Sequence, residues 1–267
     1  MPRRLVSVVI CGLLASAAID AARLQPESEA GWRAYVAVTE RRIATELSAR
    51  GSFLAMDFAG DADADRLAVL AGEVVTREVE TVDADGARID IPSALAHHWR
   101  GDVLVPRATL DDVLAKVESG ALLSAPDDVL KAAVIDRGPG WMTVYLRVRR
   151  TKFVTVVYDT THDVTFTRLS PTRAVSRSTA TRIVEIEDPG TASERALPAG
   201  DDHGYLWKLN AYWRYEQVPG GVIVECESIS LSRTVPSLVR YLVGPLIEST
   251  ARDSMDRTLR AVRAHES

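Results

Sequence analysis

GYLWKLNAYWRYEQVPGGVIVECESISLS, Gly204 to Ser232, concentrates aromatic residues in a chain where Phe, Trp and Tyr make up only 6% of 267 residues. Tyr205, Trp207, Tyr212, Trp213 and Tyr215 crowd into its first half. The stretch alternates with period two. Tyr205, Trp207, Leu209, Ala211, Trp213 and Tyr215 form one nearly apolar set, and Leu206, Lys208, Asn210, Tyr212, Arg214 and Glu216 form a mostly polar one. A strand with one face buried and the other largely wet is the expectation. Pro219-Gly220-Gly221 is turn chemistry, so a second strand, GVIVECESISL, should fold back on the first as a hairpin.

Upstream, further strand-like runs follow in quick succession: VLKAAVIDR, GWMTVYLRVRR, KFVTVVYDTTHDVTFTRL and RAVSRSTATRIVEIE. Gly138-Pro139-Gly140, Ser170-Pro171 and the longer EDPGTASERALPAGDDHG separate them. Such tight spacing leaves no room for crossover helices, so the sheet should be antiparallel and built from hairpins. Before them, TLDDVLAKVESG reads as a short helix, with Thr109 and Asp112 as a capping pair and Gly120 as its stop. GEVVTREVETV, ARIDIP and LAHHWRGDVLVP, between Gly72 and Pro106, read as extended pieces.

The two ends differ from this β-rich middle. Trp32, Tyr35 or Val36, Thr39, Ile43 and Leu47 recur on one helical stripe that stops at Gly51. After the last strand, Leu238, Leu242, Leu246 or Ile247, Ala251, Met255, Leu259 and Val262 trace a long apolar stripe, with a kink expected at Gly244-Pro245. At the very start, Arg3 and Arg4 precede an apolar run from Leu5 to Ile19 and an Ala15-Ser16-Ala17 cleavage motif. The run is short for a bilayer span, which needs about 20 apolar residues. A cleavable signal peptide over residues 1–22 is expected, with a retained anchor as the alternative. Export to the periplasm or the extracellular space follows from that expectation.

Composition limits the function classes. The formal net charge is −5, and cleavage after Ala17 would leave 30 basic against 37 acidic residues, so nucleic acid is a poor partner. Of the two cysteines only Cys226 would survive cleavage, so the mature chain would have no internal disulfide; Cys226 reads as a small buried residue. No G-x-S-x-G, C-x-x-C, H-E-x-x-H, Walker or dinucleotide motif occurs. His97 and His98 would face opposite sides of a strand, and the spacing of the histidines fits no metal motif. Asp61, Asp63 and Asp65 imitate the start of a calcium loop, but Arg66 stands where the turn glycine belongs. No metal and no cofactor is expected.

Strands, a short helical interruption, a run of antiparallel strands and a long helix directly after the last strand resemble the START-like or SRPBCC superfamily, the helix-grip fold. More narrowly, YLWKLNAYWRYEQVPGGVIVECESISLSR, HHWRGDVLVPRATLDDVL and GWRAYVAVTERRIATEL are similar to a group of exported bacterial proteins of that superfamily. The resemblance runs from about Trp32 to the C-terminus, its superfamily core beginning near Thr109. It implies an α+β fold in which a curved antiparallel β-sheet grips a long C-terminal α-helix, preceded by an N-terminal helical extension. Three segments result: signal peptide 1–22, helical extension 23–68 and START-like domain 69–267. The resemblance also implies a cavity between sheet and helix for a hydrophobic or lipid-like ligand, and contact with membranes that is transient. It supplies no catalytic residues.

The expected cavity lining is Tyr205, Trp207, Leu209, Ala211, Trp213, Val144, Leu146, Ser176, Ser178, Ala180, Arg182, Ile247 and Met255. Ala174, Ser176, Ser178, Ala180, Val184 and Ile186 make a small-to-apolar face on which Arg182 is the only charge. Such an arginine needs an acceptor, either a ligand's anionic head group or an internal carboxylate such as Glu225 or Glu227. Two alternatives stand beside ligand binding. One is an enzyme of the same fold, cyclase-like or hydrolytic, using His162, Asp159 or His203 as acid or base. The other is a filled core with a structural or partner-binding role.

Overall fold

The computed structural model describes residues 23–151, 155–234 and 237–264, and of residues 237–250 the backbone alone. The expected signal peptide therefore lies outside the described residues. Helix α1 (Pro26–Leu47) and helix α2 (Ala62–Leu70) flank a 3-10 turn at Ala55–Phe58. Strands β1 (Val75–Glu78) and β2 (Ala94–Pro106) follow, then helix α3 (Leu110–Ser119). Next come β3 (Val129–Gly138), β4 (Trp141–Thr151), β5 (Thr155–Ser170), β6 (Arg173–Glu187), the two-residue β7 (Arg195–Ala196), β8 (Lys208–Val218) and β9 (Gly221–Arg233). Helix α4 (Ser237–Ala264) closes the chain as one element, Gly244 and Pro245 included.

The strands form one sheet in the order β1-β2-β9-β8-β6-β5-β4-β3, with β7 on β6, and the pairings are antiparallel. Most neighbours are hairpins, but β2 and β9 are joined across the sequence from Ala94↔Arg233 to Pro106↔Gly221. That one long-range pairing seats α4 beside the N-terminal part of the chain. The architecture is the helix-grip α+β fold. GEVVTREVETV yields a strand only at Val75–Glu78, and ARIDIP yields only a single bridge, Val82↔Arg88. Among the described residues, no helix is long and apolar enough to cross a membrane.

Local chemistry explains the elements that frame the sheet. The Thr109 hydroxyl accepts from the Asp112 amide at 3.2 Å, while the Asp112 carboxylate accepts from the Thr109 amide at 3.0 Å. Both satisfy amide groups that the first turn of α3 leaves without helical partners. Gly120 ends that helix at φ 81°, a left-handed conformation costly for other residues.

Inside the grip, Val103 and Val105 of β2, Tyr215 of β8 and Val222, Val224 and Cys226 of β9 meet Leu110, Val113 and Leu114 of α3 and Met255, Leu259 and Val262 of α4. Gly101 permits this approach. A β-carbon there would lie 2.5 Å from Leu259 Cδ1 and 2.7 Å from Met255 Cγ.

The opposite face of the same strands is covered as well. Trp32 and Tyr35 of α1 pack on Tyr212, Ile229 and Leu231, while Phe53, Leu54, Met56 and Val69 pack on Val75 and Ile223. Each such side chain contributes roughly 1.5–3 kcal/mol of transfer free energy. The expectation that Tyr212, Arg214 and Glu216 face water is corrected here. All three are buried, as is Asn210, because α1, the turn after it and, over Glu216, Arg66 of α2 lie above them.

Candidate functional site

Strand register places the inner wall, the surface facing α4. Along one row across five strands stand Val164, Ser178, Ala211, Ser228 and Trp99. The next row on one side holds Leu209, Ser230 and His97, and on the other Phe166, Ser176, Trp213, Cys226 and Gly101. Small side chains, Ser178, Ala211 and Ser228, stand in that row between Val164 and Trp99. Leu95, His97, Trp99, Leu209, Ala211, Trp213, Ser178 and Ser228 are only half-buried.

Two histidines on the wall, His162 and His97, are uncharged at neutral pH. Burial pushes His162 down to about 4, and its ring nitrogens pair with the Thr160 hydroxyl at 2.9 Å and the Ser178 hydroxyl at 3.4 Å. Burial likewise lowers His97 to about 4, with Nε2 2.9 Å from the Ser232 hydroxyl. Apolar contact area with a few neutral hydrogen-bonding groups is the composition of a small-molecule site.

Leu209, Ala211, Trp213, Ser178 and Ala180 share the half-buried part of this face. Ser176 lies on it but is closed, its hydroxyl 3.1 Å from that of Tyr215. Val144 is packed with Met142 and Val164, and Leu146 with Val148, Tyr158, Ile183 and Leu206. Met255 fills core against Gly101. Ile247 lies outside the residues whose side chains are described.

Three expected lining residues sit elsewhere. Tyr205 precedes β8 and is 42% exposed. Trp207 packs with the cluster under α1. Arg182 is exposed on the outer face, opposite Thr161, because β6 carries one extra residue, Thr181, between the Ala180↔His162 and Arg182↔Thr161 pairs. That bulge reverses the alternation, so the face read from Ala174 through Ile186 is not one face. Leu95, His97, Trp99 and Ser228 were missed, although their even spacing from Gly101, Val103 or Cys226 marks them as the same face.

Arg182 does not pair with Glu225 or Glu227; the cations facing those carboxylates come from β8 and the extension. Arg214 donates to Glu46 at 2.5 Å and to the Phe53 carbonyl at 2.8 Å, with Nε 3.4 Å from Glu225. Glu225 accepts from the Ala55 and Met56 amides at 2.7 and 3.0 Å. Glu227 meets Arg42 and, at 2.7 Å, His98 Nε2, whose Nδ1 lies 3.1 Å from both Tyr35 and Thr81. His97 and His98 do face opposite ways. Among the described residues no three His, Cys, Asp or Glu side chains gather to hold a metal ion.

Of the acid-base candidates, Asp159 points outward into Arg147 and Tyr145. His203 is paired with Glu185 at 2.5 Å.

No protein-family model matches the chain, and no curated protein matches it. Solved structures do. A Thermus thermophilus protein is 13% identical over 62% of this chain and 94% of its own, with a TM-score of 0.45. A STAR-related lipid transfer protein from Xanthomonas axonopodis is 17% identical over 71% of this chain and 98% of its own, at 0.42. The ZhuI aromatase/cyclase of a Streptomyces species is 16% identical over 64% and 94%, also at 0.42. At this level they are likenesses only, and nothing about ligand or activity follows from them.

Proposed function

We propose that this chain binds a hydrophobic or lipid-like small molecule on the inner wall, between the sheet and α4. One observation carries the reading. On β8, the apolar residues Leu209, Ala211 and Trp213 are half-buried, while the polar residues alternating with them, Asn210, Tyr212 and Arg214, are buried. A folded chain that covers its charged side chains and leaves Trp213, Leu209 and Trp99 part-open has an apolar surface available to a ligand. Neutral His97 and His162 with Ser178 and Ser228 suit a ligand bearing hydroxyl or carbonyl groups.

Action outside the cytoplasm, expected from residues 1–22, is part of the same proposal, and N-terminal sequencing of the exported protein tests it. For the ligand, gently purified protein is analysed by native mass spectrometry and its bound molecules are extracted into solvent. A stoichiometric lipid-like adduct is expected. A clean apo mass, repeated after challenge with mixed lipids, overturns the reading.

A further inference from the structure

The β6–β8 pairing runs from Arg173↔Glu216 to Thr179↔Asn210, whereas β6 itself continues to Glu187. Where the two strands part, the segment ahead of β8 returns to β6 and brings His203 onto Glu185. Glu185 Oε1 lies 2.5 Å from His203 Nδ1, and Glu185 Oε2 accepts from the His203 backbone amide at 3.2 Å. The imidazole also stacks on Tyr205, ring centroids 5.5 Å apart and planes 10° from parallel. Two bonds and a stacked ring fix its orientation. Its Nε2 makes no hydrogen bond to any described residue, and the side chain is 40% exposed.

Glu185 itself is 7% exposed. Directly across the β5–β6 ladder stands Tyr158, 3% exposed, whose hydroxyl makes no hydrogen bond to any described residue. Burial, then the charge of Glu185, keeps that hydroxyl protonated far above neutral pH. Leu146, Ile183 and Leu206 pack beside it on the inner wall. A carboxylate-oriented histidine with a free nitrogen, a phenol hydroxyl that makes no hydrogen bond to any described residue and an adjoining apolar surface are thus gathered at one end of the wall.

We propose that Glu185, His203 and Tyr158 form a hydrolytic site for carboxylic esters with an apolar acyl chain, the chain lying against Leu146, Ile183 and Leu206. It rests on the ligand-binding reading of the same wall. Glu185 holds the tautomer with its proton on Nδ1, leaving the Nε2 lone pair to act as base. Nε2 takes a proton from water as the water oxygen bonds to the ester carbonyl carbon. The carbonyl π pair moves onto oxygen, which the Tyr158 hydroxyl stabilises by donation. Collapse re-forms the carbonyl and breaks the bond to the alkoxide, which leaves with the proton from Nε2. Acid and alcohol result from ester and water, and His203 ends neutral.

The test uses the whole protein with 4-nitrophenyl acetate, butyrate and hexanoate, following nitrophenolate release, beside Nile red fluorescence as a measure of wall binding. Saturable hydrolysis, with kcat/KM rising with acyl length, is expected. His203→Gln should lower kcat roughly 10²-fold, and Tyr158→Phe should lower kcat with little change in KM. Added imidazole should restore turnover to His203→Ala, which a merely structural role would not allow. Thermal unfolding confirms that each variant is folded. Nile red binding without hydrolysis above free imidazole overturns the hydrolytic site and leaves the ligand wall standing. Loss of both overturns both readings. Unchanged turnover in His203→Gln also overturns the assignment.

Discussion

Trp213 and Arg214 are neighbours on β8 and face opposite sides of one sheet. Arg214 is 3% exposed, enclosed by Glu46, Glu225 and the Phe53 carbonyl; Trp213 is half-buried. The same inversion runs through β2 and β9, where His98, Arg100, Asp102, Glu225 and Glu227 are buried outward while Trp99 and Ser228 stay part-open inward. Burying charge is costly unless each group finds a partner. On the outer face α1, the 3-10 turn and α2 supply those partners and are fixed in place by them. On the inner face, among the described residues, buried Glu185 meets His203 at one end, and along Leu209, Ala211, Trp213 and Trp99 apolar surface is left for something outside the chain.

The sharpest way to break this contrast is to remove one buried cation. Arg214→Ala leaves Glu46 and Glu225 facing each other without it, and an unfolding free energy lower by roughly 3–5 kcal/mol is expected in urea titration. A loss below about 1 kcal/mol would mean that water reaches this layer and that the outer face is not the rigid one.

Glu227 sharpens it through pH. Burial pushes its carboxyl up, but the hydrogen bond from His98 and the charges of His98, Arg42 and Arg214 outweigh this and hold it at about 2, against an ordinary 4.5. Because the folded value lies below the unfolded one, its stabilisation is present above about pH 4.5 and is lost as pH falls toward 2. Glu227→Gln should cost on the order of 3 kcal/mol at pH 7, and the gap to the parent should narrow across that acid window. A gap independent of pH would assign the loss to packing.

On the other face, Trp213→Ala should weaken Nile red or lipid binding at least tenfold. The stability loss should be smaller than that of Arg214→Ala, about 1–2 kcal/mol, because the indole is already part-open. If stability fell by about 3–5 kcal/mol, as for a fully buried tryptophan, with binding unchanged, Trp213 would belong to the core and the inner wall would be closed.

The sequence carried the strand alternation, the hairpin turns, the α3 capping pair and the closing helix, because each is encoded over a few neighbouring residues. The covering of the outer face was not legible. Polar alternation on β8 looks the same whether water or a layer of matching charges lies over it, and Glu46, Arg42 and Asp65 show no sign of their partners from sequence alone. Arg182 was misplaced because one inserted residue, Thr181, reverses every later position without changing composition. The Glu185–His203 pair lay hidden for a different reason: 18 residues separate its members, and only the parting of β6 from β8 brings them together.

Asp102 gives the smallest expected effect and the most specific one. It is fully buried, with Oδ2 accepting from Arg100 at 3.0 Å, Oδ1 unpartnered among the described residues, and Glu225 directly across the β2–β9 ladder. Burial first, and then the Glu225 charge, raise its carboxyl well above the ordinary 3.8. Folding therefore takes up a proton, and the stability it confers is full below about pH 4 and declines as pH rises through the folded value. Asp102→Asn replaces the acid with a neutral group of the same shape that has no proton to lose. Below about pH 4 the variant should match its parent within about 1 kcal/mol, and its relative stability should rise as the pH is raised from there through neutrality. A variant weaker by several kcal/mol at every pH would instead require a carboxylate at position 102. The first outcome would mean that the outer face is completed by a proton where the extension supplies too few cations, whereas on the inner face burial has already made His97 and His162 neutral.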